Sequence, residues 1–222
     1  MTQKPESTRS TISLFVERTI GADEFARITA RNALRQFDAV IDLINEGLRS
    51  AGTFKLRPSM IMELNRLATQ SIDPDAGQYR IHLITISNSS HVPPQPEEVP
   101  RHIEDVCEYV NENWNDCSAI HLSAYLLWRL NWIQPFKDGN GRTARATSYA
   151  VLCIRLGYIL PGGEPVPARI ANDRLAYYVA LDAADEAFRE GRTDVSVMEG
   201  YLADKLAEQL FDTPKAVVSE AG

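Results

Sequence analysis

"WIQPFKDGNGRTAR", Trp132–Arg145, is the stretch on which the reading of this chain turns. An aspartate, two glycines, an asparagine and two arginines crowd into Asp138–Arg145, directly after the apolar run "SAIHLSAYLLWRLNWI". Gly139 and Gly141 allow a tight turn that exposes backbone N–H groups, and a helix starting near Arg142 adds its positive end, which suits an anion. Arg142 and Arg145 lie on neighbouring faces of that helix's first turn and can both reach one polyphosphate. Asp138 can hold a hard cation such as Mg²⁺, and Asn140 can donate to a phosphate or ribose oxygen. A Gly-Asn turn between helices with two solvated arginines would be spelled the same way. An EF-hand loop would not: counted from Asp138, its sixth position is Thr143 and its twelfth Tyr149, where glycine and glutamate are required. No G-K-[ST] follows, so a Walker A loop fails as well.

Outward from this stretch the pattern is mostly helical. "EFARITARNALRQFDAVIDLINEGLRSAG" places Phe25, Ile28, Ala33, Phe37, Val40, Ile41 and Ile44 at helical intervals. "PSMIMELNRLATQ" predicts a shorter helix with Pro58 in its first turn. "PRHIEDVCEYVNENW", the run before the motif, "TARATSYAVLCIRLGYIL", "NDRLAYYVALDAADEAFREG" and "VSVMEGYLADKLAEQLF" predict the remaining helices. The third of these five is apolar on most sides and is expected to be central. "GQYRIHLITISNSSHVPPQPEEVP" changes character: its β-branched run suits a strand and "SNSS" a turn, giving a short β-hairpin and a connector from Pro93 to Pro100. The expected fold is an all-α bundle carrying one small β-hairpin. It forms a single domain over residues 11–211 between tails at 1–10 and 212–222.

The composition fits a soluble globular protein, with 44% hydrophobic and 24% charged residues in 222. A net charge of −7 argues against a broad nucleic-acid or anionic-membrane surface, though not against one local basic site. Three cysteines with no CxxC pair suit a reduced compartment. "MTQKPESTRS" lacks the apolar core of a signal peptide, and "YAVLCIRLGYIL" is short and broken by Arg155, so a cytoplasmic location without a membrane span is expected.

Taken whole, "QPFKDGNGRTAR" resembles the signature of the Fic (filamentation induced by cAMP) family, HPFxDGNGRxxR, at every fixed position but the first. The hairpin, the "HVPP" connector and the apolar helix before the motif extend the resemblance over roughly residues 20–210. It implies a helical fold with a β-hairpin flap, and transfer of AMP from ATP to a hydroxyl side chain of a target protein. By the same resemblance, Asp138 would hold Mg²⁺ on the nucleotide. Gly139, Asn140, Gly141 and Arg142 would cradle the phosphates, Arg145 would bind the γ-phosphate, and Phe136 would anchor the loop. Tyr79, Ile81, Leu83 and Ile84 would belong to the flap that holds the target by strand-like pairing. His82 and His91 are read as contacts or surface residues.

Gln134 is the departure. The family's histidine here takes the proton from the attacking hydroxyl, and a carboxamide has no titratable lone pair near neutral pH. Losing such a base costs on the order of 10²–10⁴ in rate. His121, about 13 residues earlier and roughly 20 Å away along a helix axis, is a poor substitute and reads as structural. The glutamine fits a natural variant that binds nucleotide without efficient transfer, and equally a substitution made to trap a complex. The alternative function is a non-catalytic nucleotide-binding regulator using the same pocket. The resemblance also suggests an inhibitory helix of pattern [ST]xxxE[GN]. "DLINEG", Asp42–Gly47, supplies its end but has Asp42 in place of the Ser or Thr; Glu46 is placed to pair with Arg145, or else Gly47 is a helix cap and Glu46 is solvated. Glu199 and Gly200 repeat the ending, but Val195 stands where Ser or Thr is required. "AYLLWRLNW" reads as core packing, and self-association is left open.

Overall fold

The computed structural model describes residues 19–50, 52–86 and 91–212. Its helices are α1 (Ala22–Arg49), α2 (Pro58–Thr69), α3 (Val99–Glu112), α4 (Ala119–Ile133), α5 (Asn140–Leu156), α6 (Val166–Asn172), α7 (Arg174–Arg189) and α8 (Ser196–Phe211), with a 3-10 turn at Pro96–Glu98. The expected tails lie outside the described residues except for Asp212, the residue that ends α8.

The termini follow from local chemistry. Pro58 opens α2 at a position whose N–H has no intrahelical partner anyway. Ser118 caps α4, its hydroxyl accepting from the His121 N–H at 3.0 Å. Gly157 ends α5 at φ 87°, a left-handed conformation that favours glycine. The short α6 was not expected from the sequence. Its first turn is set by Val166 and Pro167 after Pro165, and it has too few residues to show a period.

α4 and α5 form the centre of the bundle. Leu122, Leu126, Leu127, Trp128, Leu130 and Ile133 of α4 are buried, as are Val151, Leu152 and Cys153 of α5. Small residues let the two helices approach until the Ser148 hydroxyl donates to the Ser123 carbonyl at 2.9 Å. Among the described residues, no helix is long and apolar enough to cross a membrane.

Two expectations are corrected. The buried stripe of α1 runs through Phe25, Ile28, Asn32, Gln36, Val40, Ile44 and Gly47, so Ala33 is exposed and Phe37 is 43% exposed. Polar residues hold the buried positions because their amides satisfy carbonyls of the adjoining chain. Asn32 donates to Gln70 at 2.7 Å and Gln36 to Leu64 at 2.9 Å. The β-hairpin is the second. No strand occurs among the described residues, and residues 78–86 are irregular, while the expected turn at 87–90 lies outside them. β-branched residues favour a pleated surface only where a partner strand exists, and none is present among the described residues.

Candidate functional site

The motif loop connects the C-terminus of α4 to the N-terminus of α5, and the loop's own side chains close it. Asn140 accepts from the Phe136 N–H at 2.9 Å and donates to the Phe136 carbonyl at 2.7 Å. Its amide was expected to serve a ligand oxygen; instead it closes the loop. Phe136 is 1% exposed, with the ring of Tyr79 at 5.8 Å. Gly139 adopts φ 78°, and a Cβ there would lie 2.6 Å from Cγ2 of Thr69. Glycine is therefore required both by conformation and by the approach of α2.

A residue the sequence reading missed fixes the loop from α2. Asn65, 1% exposed, donates to the Asp138 carbonyl at 2.9 Å and to the Thr143 hydroxyl at 3.2 Å. Its oxygen accepts from the Gly77 N–H at 3.0 Å. The available signal was a polar side chain on the helical face of Ile61, Leu64 and Ala68.

The charged groups are arranged unequally. One carboxylate oxygen of Asp138 accepts from the Gly139 N–H at 2.6 Å, and the other lies 3.5 Å from the Arg142 guanidinium. Arg142 also donates to the Ala68 carbonyl at the end of α2, at 2.6 Å. Arg145 is half-buried and forms no ion pair with any described carboxylate. Burial pushes its guanidinium below its ordinary pKa, and the positive charges of Arg142 and Arg174 push in the same direction, against Tyr177 and Tyr178. A bound anion would relieve both effects. A Cβ on Gly141 would sit 3.2 Å from Nη1 of Arg145, so the glycine keeps room for this side chain.

Gln134 ends α4 in the left-handed region, at φ 47° and ψ 64°. Its amide N–H₂ donates to the Asn131 carbonyl at 2.9 Å, turning back along α4. Asn131 in turn donates to the Tyr177 hydroxyl at 2.7 Å, whose charge environment includes Arg145. The histidines weighed from the sequence have other surroundings. His91 lies against the Trp132 carbonyl at 2.7 Å and Asp185 at 3.6 Å. His121 is held between Tyr109 and Glu199 at 2.9 and 2.7 Å, which also accounts for Glu199. His82 is exposed.

Of the expected flap, Ile81 and Leu83 are 78% and 65% exposed, Ile84 is half-buried, and Tyr79 packs inward with burial pushing its phenol up to about 12. The expected Glu46–Arg145 pair is not formed. Glu46 is exposed, and Gly47 packs on Ile154, where a Cβ would meet the side chain at 2.5 Å. Ile154 lies roughly 13 Å along α5 from Arg145, at about 1.5 Å per residue. The glycine serves close helix packing.

A family model described as the Fic/DOC family matches residues 55–152, the span from the start of α2 through most of α5. The chain contains a Fic/DOC domain. It is 33% identical over 127 residues to a protein adenylyltransferase Fic of Nematostella vectensis, covering 56% of this chain and 28% of that protein. It is 28% identical over 182 residues to a protein adenylyltransferase Fic of Drosophila persimilis, covering 80% of this chain and 32% of that one. The chain thus spans less than a third of each of these relatives. A Fic domain containing signaling protein from Bacteroides thetaiotaomicron shares the fold at TM-score 0.63 and 21% identity, over 80% of this chain and 70% of that one. Fic-1 (aa134–508) from C. elegans superposes at TM-score 0.62 and 25% identity, over 81% and 49%. The Fic/DOC domain here therefore includes the motif loop, its Asn65 anchor and the segment at 78–86.

Proposed function

We propose that the Fic/DOC domain binds ATP with Mg²⁺ at Asp138–Arg145, and that it belongs to a chain of the AMP-transferring kind whose transfer step is suppressed by Gln134. The observation carrying this reading is Arg145, a half-buried guanidinium with no described carboxylate partner, beside a glycine-built helix N-terminus. The names of the relatives, protein adenylyltransferases, support ATP as the nucleotide and a protein as the acceptor. Arg145 would take the terminal phosphate, and the backbone N–H groups of Asn140–Arg142, in the first turn of α5, the others.

A single carboxylate, Asp138, fits a magnesium ion that arrives on the nucleotide, because Mg²⁺ usually takes one or two carboxylates and fills its remaining positions with phosphate oxygens and water. Among the described residues no group of three His, Cys, Asp or Glu gathers as an all-protein cage would require. Bound there, the ion would neutralise charge on the phosphates.

In the transfer, the target hydroxyl oxygen would bond to the α-phosphorus, the bond to the β-phosphate oxygen would break, and diphosphate would leave. The hydroxyl proton needs an acceptor. At 134 the amide nitrogen donates to Asn131, leaving an amide oxygen that can orient the hydroxyl but cannot take its proton. The test of the binding half is calorimetric titration with ATP and Mg²⁺. The chain should give saturable binding that weakens on the order of a hundredfold in Arg145→Ala, the size of a lost charge-assisted contact. Equal affinity in the two proteins would refute it.

A further inference from the structure

Arg80 does more than fill space beneath the exposed 81–86 segment. It is 4% exposed and makes no ion pair with a described carboxylate. All its described partners are carbonyls. Its guanidinium donates to Gln134 at 2.7 Å, Ile133 at 3.3 Å, Pro94 at 2.6 Å and His82 at 3.2 Å, while its own N–H donates to Pro135 at 2.9 Å. The Ile133 and Gln134 oxygens lie at the negative end of α4, so a fixed cation there is favourable. Burial lowers the guanidinium's pKa, although Glu97 works against this.

These bonds converge on three segments. One is 80–86, the second is the connector at Pro94, and the third is the 133–135 turn where α4 ends. Within that turn Gln134 is left-handed, a conformation costly for a residue with a Cβ. The Gln134 N–H donates to Leu130 at 3.0 Å, and Arg80 supplies the bond to its carbonyl. The phosphate-facing loop has separate supports, Asn65, Asn140 and Thr143.

We propose that Arg80 is a positioning residue that sets the side chain at 134 and the 81–86 segment in one register against the motif loop, without contributing to nucleotide binding. Its structural half stands on the hydrogen bonds; its consequence for transfer rests on the reading given under Proposed function. A lysine would supply the charge but only a point donor in place of the planar fork.

The test uses Arg80→Met and Arg80→Lys in the full chain, each also combined with Gln134→His. Amide hydrogen exchange is read at positions 80 and 134, with α5 as the internal reference. Loss of the clasp should raise exchange at 80 and 134 by about tenfold in Arg80→Met, the effect of one typical hydrogen bond, and by less in Arg80→Lys, with α5 unchanged. ATP affinity should stay within about twofold, since no phosphate-facing support changes. In the Gln134→His background the turnover of transfer should fall on the order of ten- to a hundredfold at unchanged KM for ATP, the penalty of a displaced catalytic group. Exchange that rises equally in α5, or does not rise at 80 and 134, would overturn the clasp. A drop in ATP affinity matching the drop in turnover would overturn its separation from the nucleotide site. If Gln134→His itself transfers nothing, the transfer reading has failed, and the exchange and binding measurements still decide the role of Arg80.

Discussion

The motif loop and the segment at 80–86 lie side by side and are built in opposite ways. The loop is fixed by buried side-chain hydrogen bonds: Asn140 to both backbone groups of Phe136, Asn65 to the Asp138 carbonyl, and Thr143 to the Gly139 carbonyl. The segment is held near its start by Arg80, beyond which Ile81 and Leu83 face solvent. Phosphate recognition needs donors fixed before the ligand arrives, whereas a surface for a partner chain needs unsatisfied backbone and apolar side chains. Under the proposed function, the loop would be the preorganised part of the site and the segment the part that a partner completes.

Substitutions can break or sharpen that contrast. The largest effect is expected for Gly139→Ala, which combines a positive φ with a 2.6 Å contact to Thr69. Strain of about 1–2 kcal/mol and overpacking of about 1–3 kcal/mol should together lower stability in denaturant titration. Adding Thr69→Ser removes the clashing methyl and should return only the packing part. Asn140→Ala comes next. It orphans the N–H and carbonyl of Phe136 and should cost about 2–3 kcal/mol, and calorimetry should show nucleotide binding lost with it. At the end of α4, Gln134→Gly should be more stable than Gln134→Ala by about 1 kcal/mol, because only glycine accepts φ 47° without strain. A Gln134→Ala protein as stable as Gln134→Gly would show that this turn relaxes freely. Smallest of all, Ile81→Asp and Leu83→Asp should leave stability within about 0.5 kcal/mol, as exposed substitutions do. A larger loss for either would mean that the segment is part of the core and the contrast is false.

The helices were legible because their apolar residues recur at helical intervals, as at Val40 and Ile44, although the run ending at Leu160 was read past Gly157, where α5 stops. The motif loop was legible as a distinct element because Asp, Gly, Asn and Arg crowd together at Asp138–Arg145, whereas the inward turn of Asn140 onto Phe136 was not. What else was not legible depended on partners distant in sequence. Residues 79–86 carry the letters of a strand, and whether a second strand lies beside them is not written within the run. Asn32 and Gln36 occupy buried positions of α1 because α2 offers them carbonyls, so an apolar count placed that face slightly askew. Arg80 sits in a β-branched run where an arginine ordinarily faces water; only the folded chain brings five carbonyls around it. Glu46–Gly47 matched a short pattern, but the structure uses the glycine to seat Ile154.

The most direct test of the central claim is transfer of label from α-phosphate-labelled ATP, with self-modification and added cell lysate as acceptors, comparing this chain with its Gln134→His version. Both proteins should bind ATP alike, and the histidine version should label protein faster by on the order of 10²–10⁴, the usual worth of a general base. Labelling by this chain at the rate of its histidine version would contradict the role assigned to Gln134.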